Sequence, residues 1–206
     1  MTTIDPAATP LQPTEQISRF EPRPVDAMRD EWLATLARIP GDGLKGAGAP
    51  RHVLGMLMYS PDTFGPFLEY WVTCKEKMAL SVREQELVIL RMGCLYRSNY
   101  VWKHHVPVGR EFGVTDAELD AVRTGRYDGF PGRERSLLAL TDELVEQRTI
   151  RAERWAADRG ELTEVDVVDL IGLVAQYVLF SLMNNALQVQ VETSLGDVPA
   201  IDSPIG

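Results

Sequence analysis

The longest uncharged apolar run of the chain lies around residues 170–187, inside a mostly apolar segment that opens at Thr163 and runs to about residue 191. A stretch like this is either buried in protein or spans a bilayer, and Gln176, Asn184 and Asn185 within it favour burial. It reads as a long helix packed among other helices. The rest of the sequence agrees with that architecture. Apolar residues recur at helical spacing over 25–39, where Pro40-Gly41 ends the segment, over 52–59, and over 63–78 with Phe64, Phe67, Leu68, Trp71 and Val72 on the buried side. Ser81-Val-Arg-Glu84 has the form of a capping box, in which a serine hydroxyl and a glutamate carboxylate satisfy orphan amides reciprocally, and a helix apolar nearly all round should follow. Another helix is expected over 98–112, kinked or ended by Pro107. Thr115-Asp-Ala-Glu118 is a second capping box, opening a helix that ends near Gly125, and 131–148 repeats the amphipathic pattern. No segment alternates as a strand does, so the expected fold class is all-α.

Residues 1–24 hold five prolines and few large apolar side chains, which predicts an extended arm without a core of its own, packed on a neighbouring subunit or mobile. The helical domain is expected over 25–194 and a tail over 195–206. The Gly-rich stretch GDGLKGAGAP lacks the preceding strand and the Gly-Lys-Ser/Thr ending of a phosphate loop. A net charge of −9 argues against nucleic acid or an anionic membrane as partner. The start of the sequence has neither a basic nor an apolar signal region, and the two cysteines, Cys74 and Cys94, suit a reducing compartment. A soluble, cytoplasmic protein is expected.

The residues that carry chemistry fall between Glu86 and His105. On the helix over 98–112, Ser98, Val101, Trp102 and His105 share one face by spacing, with His104 about 100° away. Glu86, early in an apolar helix, is costly to bury unless protonated, paired or hydrogen-bonded; a carboxylate of raised pKa beside a histidine suits proton transfer near neutral pH. The plainer alternative is an exposed Glu86 paired with Arg83 or Arg97. Tyr100 and Trp102 read equally as packing residues, and Cys94 as a small buried hydrophobe. His52, His104 and His105 do not form a convincing metal set, because adjacent histidines splay apart. Neither metal nor cofactor is expected.

The run LSVREQELVILRMGCLYRSNYVWKHHVPVGREFGVTDAELDAV, with its Ser-x-Tyr-x-Trp-x-x-His core, resembles the carboxymuconolactone decarboxylase-like, or alkyl hydroperoxidase D-like, family. The likeness continues upstream to Tyr59-Ser-Pro-Asp62 and downstream through VDVVDLIGLVAQYVLFSLMNNAL. It implies a hydroperoxidase D-like helical bundle and a homo-oligomer, a trimer or hexamer. In the hydroperoxidase branch a glutamate, two cysteines and a histidine form a thiol relay; here the glutamate falls on Glu86 and the histidine on His105, but the cysteine positions fall on Ser98 and Val101. A hydroxyl and an isopropyl group cannot form a disulfide, which disfavours a dithiol peroxidase. Decarboxylase-branch relatives commonly carry an acid where Val101 stands.

What remains is an acid/base set without a redox centre. The expected function is cofactor-free decarboxylation, isomerisation or lactone chemistry on a small carbonyl-bearing organic acid or lactone. His105 would move the proton, Glu86 would tune or relay it, and Ser98 and Tyr100 would bind the reacting oxygen. Trp102, His104 and Cys94 would contact the substrate, and Arg51, Arg97 and Arg110 are candidates to hold a carboxylate. The alternatives are a single-cysteine hydroperoxide-reducing protein using Cys94 and a non-catalytic small-molecule-binding subunit.

Overall fold

The computed structural model describes residues 18–39 and 49–203. Residues 1–17 of the expected arm and most of the Gly-rich stretch lie outside the described residues. Among the described residues every regular element is helical: α1 (Asp30–Leu36), α2 (Arg51–Leu57), α3 (Pro61–Lys77), α4 (Val82–Leu95), α5 (Asn99–Glu111), α6 (Asp116–Thr124), α7 (Gly132–Gln147), α8 (Ala152–Asp158) and α9 (Glu164–Leu187), with short 3-10 turns at Val25–Ala27 and Thr193–Leu195.

Both expected capping boxes form, at Ser81/Glu84 and Thr115/Glu118, and a third opens α9 at Thr163/Asp166. Four boundaries differ from the periodicity. The segment over 25–39 breaks at Met28 and Arg29, which are extended and turn Met28 into the core. Helix α5 runs on through Pro107 instead of ending there. Helix α9 stops at Gln188, whose left-handed backbone (φ 54°) closes the helix, and Val189 continues the apolar pattern as a buried residue of a non-helical segment. Helix α8 has no buried residue, so no apolar stripe announced it.

Helix α4 is the axis of the molecule. Its residues 84–90 are buried without a break, because it has a hydrophobic cluster on each side. The larger cluster joins α1, α2, α3, α7 and α9 through residues such as Trp32, Leu54, Phe64, Leu68 and Leu170. The smaller one joins α5, α6 and α7 around Trp102, Val106, Leu119 and Leu138, and takes in Val198 from the tail. Residues 18–24 pack on their own chain: Arg19 N–H donates to the Leu187 carbonyl (2.9 Å), and Arg23 N–H to that of Gly55 (3.2 Å). A Cβ on Gly55 would lie 2.4 Å from the Arg23 carbonyl oxygen, so only glycine permits this approach.

Helix α9 is long and apolar enough by length and composition to cross a membrane, but half of its most apolar window is buried inside the protein. The rest forms a stripe: Val165, Val168, Ile171, Leu179 and Leu182 are all exposed and fall on one face.

Candidate active site

Glu86 lies one helical turn into α4 and is completely buried. Its Oε2 meets His105 Nδ1 of α5 at 2.6 Å, and its Oε1 accepts from Lys75 Nζ of α3 at 3.2 Å. Burial pushes the Glu86 carboxyl up, but the His105 imidazole and the Lys75 ammonium outweigh it and hold the group at about 2. The raised pKa expected for Glu86 is therefore corrected: two donors reach it, so it stays ionised. An ionised acceptor fixes the His105 tautomer, with the proton on Nδ1 and the Nε2 lone pair free to accept. The Tyr177 hydroxyl of α9 donates to that Nε2 at 3.2 Å.

Burial pushes the His105 pKa down, Lys75 and His104 add to the effect, and Glu86 offsets only part of it, so the ring titrates below its ordinary 6.5. Burial likewise raises the Tyr177 phenol to about 12, against the pull of Lys75. Lys75 itself is disfavoured as a cation by burial, yet Tyr177 and Glu86 more than compensate and raise its pKa. Near neutral pH the array thus holds an ammonium, a carboxylate, a neutral imidazole and a phenol.

His105 and Tyr177 border a pocket of about 350 Å³, part of it open to solvent, and Glu86 and Lys75 stand behind them. Its walls come from α2 (Val53, Leu54), α3 (Trp71), α5 (Tyr100, Val101, His104, His105) and α9 (Tyr177, Phe180, Asn184). Both adjacent histidines reach it, because the pocket faces the groove between them. A second carboxylate supports the far wall. Glu192, beyond α9, accepts from the Tyr100 hydroxyl (2.9 Å) and from His52 N–H (2.7 Å) on Oε1, and meets His104 Nε2 at 2.7 Å on Oε2. Burial raises Glu192, but its bonds to His104 and to the His52 backbone lower it further.

The sequence-predicted residues divide. His105, Glu86, Tyr100 and His104 are brought together; Ser98, Trp102 and Cys94 are not. Ser98 is the N-cap of α5 and turns its hydroxyl to the Val101 amide (3.5 Å) instead of to a ligand. Trp102 lies about 130° round the helix from the middle of the pocket face. It fills the smaller core cluster and donates from Nε1 to the Pro199 carbonyl (3.1 Å). Cys94 packs against that same cluster, and burial pushes its thiol up to about 12 in spite of Arg91 and Arg123. Arg110 pairs with Asp116 at the surface, and Arg51 and Arg97 form no part of the pocket wall. Among the described residues no three His, Cys, Asp or Glu side chains are placed to share a metal ion.

Three site residues escaped the sequence reading. Lys75 stands four residues after Trp71 and seven after Leu68, on the buried face of α3, and a lysine there was a usable signal. Tyr177 shares a face with Leu170, Val174 and Phe180, where a tyrosine reads as ordinary core. Glu192 carried no signal, since it follows the helix in an irregular segment.

Residues 61–143 match the family model described as the carboxymuconolactone decarboxylase family. That region contains Lys75, Glu86 and both pocket histidines. No curated relative matches the chain in sequence. Among solved structures, the fold is similar to the debrominase Bmp8 in its apo form, with a TM-score of 0.69 at 13% identity over 85% of this chain and 92% of that one. It is also similar to a protein of unknown function from Agrobacterium tumefaciens, described as an antioxidant-defence candidate named AhpD, with a TM-score of 0.61 at 15% identity over 66% of this chain and 94% of that one. At such identities the likeness concerns the fold alone. Residues 61–143 thus resemble the carboxymuconolactone decarboxylase family, on an all-helical fold similar to that of these two solved structures and without a Cys-x-x-Cys pair.

Proposed function

We infer that the chain is an acid/base enzyme that needs no redox cofactor and acts on a small carbonyl compound or lactone. One observation carries this reading: the Lys75–Glu86–His105–Tyr177 array beside a partly open pocket. His105 Nε2 is the base that takes a proton from the substrate, and Glu86 stabilises the imidazolium that forms, as an orienting carboxylate does in a hydrolase triad. Tyr177 keeps its proton, so it can release Nε2 and donate to the oxygen on which charge develops. Lys75 balances Glu86 and keeps the resting imidazole neutral. Among the described residues the pocket wall offers no uncommitted cation, which favours a neutral substrate over the organic acid expected from sequence.

The test is proton exchange at the α-carbon of small ketones and lactones in deuterated water, followed by NMR. Exchange above the buffer rate that falls in His105→Asn supports the reading. Ligand binding with no exchange replaces it with a binding protein. A peroxidatic Cys94 gains no support from a thiol that titrates at about 12 outside the pocket. We place the protein in the cytoplasm as a homo-oligomer, a trimer or hexamer, with the apolar stripe of α9 covered by a second copy.

A further inference from the structure

Most polar groups around the pocket already have partners: His105 holds Glu86 and Tyr177, while Tyr100 and His104 both bond to Glu192. Two are short of one. The indole Nε1 of Trp71 makes no hydrogen bond of good geometry, only a weak approach to the Tyr177 hydroxyl, and the carboxamide Oδ1 of Asn184 makes none, although the residues are only 8% and 1% exposed. Buried donors and acceptors are seldom left unmade, and a donor and an acceptor that border one pocket describe a ligand.

Their placement gives that ligand a direction. Trp71 and Tyr177 both pack against Phe180, with ring centroids 5.7 and 5.5 Å away, and Tyr177 bonds to His105, so the indole sits at the end of the pocket that holds His105. Tyr177, Phe180 and Asn184 lie on one face of α9, and the seven steps from first to last advance about 10 Å along the helix axis. Between the two ends the walls are apolar, with Phe180, Val101 and Leu54, and Phe180 stands edge-on to Trp71 at 5.7 Å.

The geometry points to a flat, neutral, six-membered-ring ligand, bound with a carbonyl oxygen at the Trp71–Tyr177 end and a hydroxyl at the Asn184 end. A hydroxyl suits either orientation of the carboxamide, because it donates to Oδ1 or accepts from Nδ2. A carbonyl oxygen taking the Trp71 N–H lies beside Tyr177 and His105, so its α-proton comes within reach of the base. This deepens the acid/base reading and rests on it only in taking this pocket as the functional one.

The probes are 4-hydroxyacetophenone and acetophenone, at a pH where the phenol is protonated, with affinities measured by calorimetry on the full chain. The hydroxyl should tighten binding by about 2- to 10-fold, the worth of a neutral hydrogen bond. Asn184→Leu should erase that preference while leaving acetophenone within about 2-fold, and Trp71→Phe should weaken both ketones and keep the preference. Equal binding of the two ketones by the unmodified chain, no binding of either, or a preference that survives Asn184→Leu overturns the proposal. If Asn184→Leu fails to fold, Asn184→Ser takes its place, and the unmodified chain alone still decides. Loss of exchange chemistry with the preference intact defeats the acid/base reading but not the orientation; exchange without a preference does the reverse.

Discussion

Each side chain around His105 has its own kinetic signature when removed. His105→Asn and Glu86→Gln should each slow the proton-transfer step by about 10²- to 10⁴-fold with the fold retained, and the double variant should lose little more than either single one. Proton-exchange rates in the three proteins, each first checked for helicity, measure this. Lys75→Met acts differently. It removes a positive charge that disfavours imidazolium, so the His105 pKa should rise and the acid limb of the pH–rate profile should move to higher pH. An unmoved limb would take Lys75 out of the array. At this scale the sequence revealed the Glu86–His105 axis, because a carboxylate in an apolar helix demands a partner. It misled on Trp102 and Ser98, whose spacing from His105 is helical. Spacing alone does not say where on the arc the pocket sits, and that is set by α2 and α9.

The helix starts are tied together by arginines. Arg133, in the first turn of α7, donates to Glu84 (2.6 Å) and to both oxygens of Asp166 (2.7 and 2.8 Å), so the capping acids of α4 and α9 share one guanidinium. Arg83 likewise joins Glu118 of α6 to Glu134 of α7. Arg133→Met should destabilise the fold by about 1–3 kcal/mol, since it leaves two largely buried carboxylates short of a donor, whereas Thr115→Ala should cost about 1 kcal/mol for one exposed cap. Urea unfolding followed by circular dichroism separates the two. Capping boxes were legible as local motifs of four residues. The clamps were not, because each arginine's partners lie 33 to 51 residues away.

At the scale of the molecule, acid should weaken the fold in two steps. His105 and Glu86 both titrate lower when folded, so the unfolded chain binds more protons and stability falls as pH drops, first below about 6.5 for His105 and then from 4.5 down to about 2 for Glu86. Urea midpoints across pH should show both windows, and His105→Asn should flatten the upper one. The stripe on α9 predicts a solution mass that is a multiple of 23.0 kDa, reduced by Val168→Glu combined with Leu182→Glu. All-helical architecture was readable from periodicity, but the pocket was not, since its walls come from four helices and are braced by Glu192. The contact of Glu192 with the His52 amide joins residues 140 positions apart. Helices form from neighbours, whereas this pocket forms only when distant stretches have met. A preparation can therefore be fully helical and still have no pocket, which makes ligand binding, and not helicity, the criterion for a correctly finished chain.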